Sequence, residues 1–142
     1  MGGEVICNQH CLEFLRVLDE GAQASVSLCR DTRTSKLLAV KTSHGKIQQN
    51  IQEEEEAADG DESVESDLQR EYEIMKFLME SNVPGILPVH SMFVHEPTGK
   101  LCILMDYCDG GTLLSELHSR PSPRFSERMA ATVLSALACT LE

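Results

Sequence analysis

Residues 13–41 read EFLRVLDEGAQASVSLCRDTRTSKLLAVK, and the pattern in this stretch decides the fold. Val26, Leu28 and Arg30 alternate with Ser25, Ser27 and Cys29, the period of two that a strand lying on a core requires. Residues 13–19 form the strand before it, joined by Glu20-Gly21-Ala22-Gln23, a link short enough for a hairpin. Asp31-Thr32-Arg33-Thr34-Ser35 is turn chemistry, and Lys36-Leu37-Leu38-Ala39-Val40-Lys41 is a third short apolar strand. Three sequential strands with tight turns build an antiparallel meander rather than a parallel unit with crossover helices.

Downstream, Ser66-x-x-Gln69 fits a capping box and Asp67 places a negative charge in a first helical turn. Leu68, Tyr72, Met75 and Met79 recur at helical spacing, with Glu71, Ile74 and Leu78 on the neighbouring stripe, until Asn82-Val83-Pro84-Gly85 stops the helix. Two strands follow, over 89–94 and 101–105, linked by Glu96-Pro97-Thr98-Gly99-Lys100 with Gly99 placed for positive φ. A short helix over 112–118 comes next, then a Pro/Ser loop, and a last helix over 126–141 with Ser126 as its cap and Phe125 as a staple residue. From Met129 to Cys139 that helix is apolar on nearly every face, so it is expected to expose apolar surface in this chain and to belong inside a larger body.

The charge is just as unevenly spread. The 142 residues carry a net −11, and nine acids lie between Glu53 and Asp67 with no base among them; setting these aside leaves −2. The domain itself is near neutral, which argues against the basic footprint of a nucleic-acid binder. Residues 43–65 lack apolar periodicity and read as an acidic, disordered insertion. No stretch approaches the roughly 20 apolar residues of a membrane span, and MGGEVICNQHCLEFL has neither the positive nor the apolar region of a secretory signal. Six cysteines without a signal are expected to be free thiols in an intracellular, cytoplasmic protein. Cys7-x3-Cys11 with His10 lacks a fourth ligand at usable spacing, so no metal is expected. Gly2 is followed at position 6 by Ile6, where acylation wants Ser or Thr.

Three features need one another. Leu18 to Val26 is a strand–turn–strand with a small-residue tip that lets backbone N–H groups approach phosphates. Lys41 ends the next strand with a cation. Glu71 sits on the striped face of the following helix, where it can pair with Lys41. In this order they resemble the N-lobe of the protein kinases, and Ile103-Leu104-Met105-Asp106-Tyr107-Cys108-Asp109-Gly110-Gly111 looks like the fifth strand and hinge of that family. The resemblance implies an α+β fold: a five-stranded antiparallel sheet with one packed helix over 13–107, after a tail over 1–12, then the start of a helical C-lobe over 108–142.

It also implies roles. Lys41 would hold the α/β-phosphates of ATP and pair with Glu71, with Glu73 as the alternative partner. Leu18, Val26 and Ala39 would roof the adenine with Gly21 in the phosphate loop, and Met105 would stand behind the base. Backbone groups of Asp106 and Cys108 would hydrogen-bond it, and Thr112 would reach the ribose. Met75 and Val89 would stack inside the lobe. The family's loop is Gly-x-Gly-x-x-Gly-x-Val; here Gly21 and Val26 match while Asp19, Gln23 and Ala24 depart, and repulsion between Asp19 and a phosphate is expected to cost on the order of 1 kcal/mol. The His-Arg-Asp…Asn and Asp-Phe-Gly motifs, which supply the base and the magnesium ligands, do not occur in these residues. The expected partners are therefore ATP, with Mg only where the other half of a kinase domain is supplied, and a protein carrying Ser/Thr. Residues 1–142 alone are expected not to transfer phosphate, and the alternative reading is a non-catalytic, kinase-like interaction module.

Overall fold

In the computed structural model, which describes residues 4–7, 10–45, 62–122 and 124–141, six strands form one antiparallel sheet. In chain order the elements are β1 (Glu4–Cys7), β2 (His10–Glu20), β3 (Ala24–Asp31), β4 (Leu37–Ser43), α1 (Glu62–Glu80), β5 (Val89–His95), β6 (Lys100–Asp106), α2 (Leu113–His118) and α3 (Glu127–Leu141). Across the sheet the strands run β1-β2-β3-β4-β6-β5. The five expected strands are all present, and β1 adds a sixth at the β2 edge, pairing Glu4 with Glu13 and Cys7 with His10. Residues 4–7 read from sequence as tail because four residues are too few to display a period. Once β2 offers a free edge, its unpaired backbone groups recruit them. The edge strands β1 and β5 then come alongside each other, so the sheet curls towards closure.

Alternation along β4 divides the core in two. Leu38 and Val40 join Leu12, Cys29, Cys102 and Leu104 on the inside of the curl, with Phe93 against them. Ala39 turns the other way, into a cluster with Leu68, Val89, Leu101, Ile103 and Met105 that α1 covers. Burial pushes the Cys29 thiol up to about 11, with Cys102 adding to the effect, so this inner thiol is inert at neutral pH.

Local chemistry sets the turns. The buried Asp31 carboxylate accepts from the backbone N–H of Arg33 at 2.9 Å and of Thr34 at 3.4 Å, shaping the β3–β4 turn. Gly99 adopts φ +65° in the β5–β6 hairpin, as its position demanded. Helix α1 begins at Glu62, a turn earlier than the capping box at Ser66 suggested, because Glu is itself a good helix former and carries the helix back past that signal. At the other end Asn82 takes φ +56°, its N–H bonding to Met79 O and that of Val83 to Leu78 O, a two-bond cap that satisfies the last carbonyls.

The acidic insertion read over 43–65 lies, for residues 46–61, outside the described residues. Its first residues are ordered parts of the sheet's rim. Ser43 is buried, its hydroxyl donating to Gly45 O at 2.9 Å and accepting from the Leu101 N–H at 3.1 Å. No described helix is long and apolar enough to cross a membrane. In α3 no described residue is buried, and Leu134, Leu137 and Leu141 stand exposed, as the apolar sequence of that helix foretold.

Candidate functional site

The site is built on the α1-facing side of the sheet. Antiparallel register places Val26 opposite Lys41, Lys41 opposite Ile103, and Ala39 opposite Met105. Leu18 and Val26 pack against the same cluster that contains Ala39 and Met105, so the four apolar residues read as the wall of an adenine site are brought together. Burying them against one another is favourable whether or not a ligand is present, which is why the wall exists in the free protein.

Lys41 follows Ala39 by two residues and so shares its face of β4. Leu68, Tyr72, Met75 and Met79 turn one stripe of α1 onto the cluster, and Glu71, three residues after Leu68 and four before Met75, is carried to the edge of that stripe. The two side chains meet: Lys41 Nζ donates to both Glu71 carboxylate oxygens, at 2.7 and 2.6 Å. Both side chains stay partly exposed, at 26% for Lys41 and 40% for Glu71, so the pair contributes at most about 1 kcal/mol to stability. Its consequence is geometric. A flexible ammonium is held at one point beside an apolar wall. Glu73, the alternative partner, instead accepts from Gln69 Nε2 at 3.1 Å along the helix surface, which settles the register in favour of Glu71. Met75 and Val89 both lie in the cluster beneath the pair.

The hairpin tip at residues 20–24 closes on itself. The Gly21 N–H donates to Ala24 O at 3.0 Å, and a Cβ at Gly21 would sit 3.2 Å from that oxygen, so the tight turn suits glycine. Asp19 Oδ1 accepts the Glu20 N–H at 3.0 Å. The Asp19 charge is thus partly engaged by its own neighbour, and one N–H of the loop is taken by a carboxylate.

At the opposite edge Asp106 ends β6, and its backbone N–H donates to Pro88 O at 3.0 Å. Of the backbone groups of Asp106 itself, the N–H is thus taken, which leaves its carbonyl as the group for the expected base contact. Its carboxylate does something the sequence did not disclose: Oδ1 accepts from Lys36 Nζ at 2.6 Å and from His90 Nε2 at 2.7 Å, tying the end of β6 to the approach to β4 and to the start of β5. Cys108 lies exposed just beyond. Thr112 is the N-cap of α2, its hydroxyl oxygen accepting from the Ser115 N–H at 3.0 Å while Ser115 Oγ accepts from the Thr112 N–H. The oxygen read as a ribose contact is engaged in starting a helix.

The Lys36 hydrogen bond, with His90 assisting, holds the Asp106 carboxyl below the usual carboxylate value. A depressed folded-state pKa means stability that is present above the unfolded value and lost as pH falls through the folded one. Asp106→Asn should accordingly cost about 1 kcal/mol at pH 7, a partly exposed cluster being screened by solvent. Urea unfolding of both proteins should give a constant difference above about pH 5 and a vanishing one further into acid. A pH-independent difference would refute the clamp.

Comparison with known proteins agrees with this geometry. No protein-family model matches the chain. Mitogen-activated protein kinase kinase 9 of Arabidopsis thaliana is 34% identical over 104 residues, covering 73% of this chain and 28% of that protein. RAC serine/threonine-protein kinase of Drosophila melanogaster is 32% identical over 127 residues, covering 88% of this chain and 18% of its own. NUAK family SNF1-like kinase 2 of Rattus norvegicus is 30% identical over 122 residues, 86% of this chain and 16% of that one. The chain thus spans between about a sixth and a little over a quarter of the length of these relatives. By sequence and by the order and packing of its strands and helices, the chain is related to the protein kinases and has the fold of their N-lobe leading into the first helices of the C-lobe.

Proposed function

We propose that this chain binds ATP between the hairpin at 20–24, the apolar wall of Leu18, Val26, Ala39 and Met105, and the Lys41–Glu71 pair. The bidentate contact of Lys41 with Glu71 carries the reading, because it fixes a cation beside an apolar slot bordered by a hairpin with backbone N–H groups. An adenine is flat and apolar on its faces, which the wall suits. The Asp106 carbonyl and the Cys108 N–H supply an acceptor and a donor for its edge, and Lys41 supplies the charge for its phosphates. ATP, when bound, brings a transferable γ-phosphoryl group.

The names of the relatives extend the proposal: in a protein that also carries a catalytic base and magnesium ligands, this half would position ATP for transfer to Ser/Thr of a protein substrate. Residues 1–142 by themselves hold neither the His-Arg-Asp nor the Asp-Phe-Gly motif, and we assign to them binding without transfer. The test is calorimetric titration of the 142-residue chain with ATP beside a radiolabelled-ATP transfer assay. Saturable binding without turnover is expected. Turnover that vanishes in Lys41→Ala would overturn the assignment of incompetence. No heat at millimolar ATP would overturn the nucleotide reading and favour the interaction module, to which the Asp19 contact in the loop lends itself.

A further inference from the structure

The described residues after β4 contain a contact that the meander does not require. His44, the first residue past the strand, reaches back over the hairpin tip. Its backbone N–H donates to Gln23 O at 3.0 Å, and its ring Nε2 lies 2.9 Å from Gly21 O. A carbonyl only accepts, so Nε2 carries the proton; the neutral ring protonated there and the imidazolium both make this bond.

Two facts give the contact consequence. First, the pairing of β3 with β4 ends at Ala24 and Ser43, so the turn at 21–23 projects past the last rung, where the His44 backbone N–H holds Gln23 O and the His44 ring adds a second hold, on Gly21 O. The tip is closed by the Gly21 N–H on Ala24 O, and His44 braces that turn from the end of β4. Second, His44 follows Lys41 by three residues on the same segment. A brace from this segment sets the height of the loop relative to the Lys41 ammonium through one short, strand-stiffened piece of chain, with Ser43 between them locked by its bonds to Gly45 O and the Leu101 N–H.

We propose that His44 is a positioning residue of the nucleotide loop: it latches the hairpin tip to the end of β4 and thereby keeps the loop backbone in register with Lys41. The value of the latch to a ligand rests on the nucleotide reading above; the latch itself does not. Both parts are separable by experiment on the full chain. Amide hydrogen exchange of Gly21 is measured in the free protein, with Leu28 and Ile103 as strand references, and ATP affinity is measured by titration, for wild type, His44→Ala and His44→Gln.

Loss of one exposed hydrogen bond should speed Gly21 exchange about three- to tenfold in His44→Ala and weaken ATP binding by a similar factor, with the references and the midpoint of thermal unfolding unchanged. His44→Gln, whose amide can still donate, should recover most of both. Unchanged Gly21 exchange in His44→Ala would overturn the latch. Faster exchange with unchanged ATP affinity would overturn its positioning role. If wild type binds no ATP, the nucleotide reading and the positioning role fall together, while the exchange data still decide whether the latch exists. A His44→Ala chain whose strand amides also lose protection would show that the residue holds the sheet rather than the loop, and that too would overturn the proposal.

Discussion

Lys41→Met should lower the affinity of the chain for ATP by about ten- to a hundredfold while leaving it folded. The side chain that is lost is the cation seen paired to Glu71, and a charge-assisted contact to a phosphate is worth about 1.5–3 kcal/mol. Methionine keeps the stem that packs along β4, so the apolar wall of Ala39, Val26 and Met105 survives. Stability should move by less than about 1 kcal/mol, because both members of the pair are partly exposed and Glu71 regains water when its partner goes. Glu71→Gln should have a smaller effect, about three- to tenfold, since the ammonium remains and loses only its fixed position. Titration calorimetry beside urea unfolding separates the two readouts. Equal ATP affinity in Lys41→Met and wild type would remove Lys41 from the site.

The largest effect on stability is expected from Leu104→Ala. Leu104 is fully buried in β6, paired with Val40 of β4 on one side and Ser91 of β5 on the other, within the cluster inside the curled sheet. Truncating a leucine in such a place removes transfer free energy and leaves a cavity that flanking strands cannot close, for a loss of about 2–5 kcal/mol. Against a total stability on the order of 5–15 kcal/mol, that removes a large share of what holds the sheet together. Leu134→Ala in α3 provides the contrast. Leu134 is 66% exposed, so its loss should move the unfolding midpoint little, by within about 0.5 kcal/mol. If the two substitutions cost the same, the core has been misplaced.

The cluster around Asp106 and the latch at His44 share a design. Each uses a polar side chain at the rim of the sheet to tie down one border of the proposed nucleotide site, the border proposed for the base in one case and that proposed for the phosphates in the other. Neither is a large contributor to folding. Their effect is to narrow the positions open to groups that a ligand would meet, which lowers the ordering cost of binding.

Much of this was legible in the sequence for a local reason. Alternation in β3 and β4, the stripe of α1, the Gly99 turn and the Ser126 cap, whose hydroxyl accepts the Met129 N–H at 3.3 Å, are decided by residues a few positions apart. Even Lys41 with Glu71, 30 residues apart, could be foreseen, because a strand period and a helix period each place one side chain on a face, and the two faces must pack together. The four residues of β1 carried no such period. The contacts of Lys36 and His90 with Asp106, of Ser43 with Leu101 and of His44 with Gly21 join residues from 16 to 70 positions apart at the ends of strands. Chain periodicity thus set which elements form and which faces they bury. Where strands stop, how far the sheet curls, and hence which polar side chains meet at its rim, depend on register and twist summed over the whole sheet, and only the assembled tertiary structure decides them.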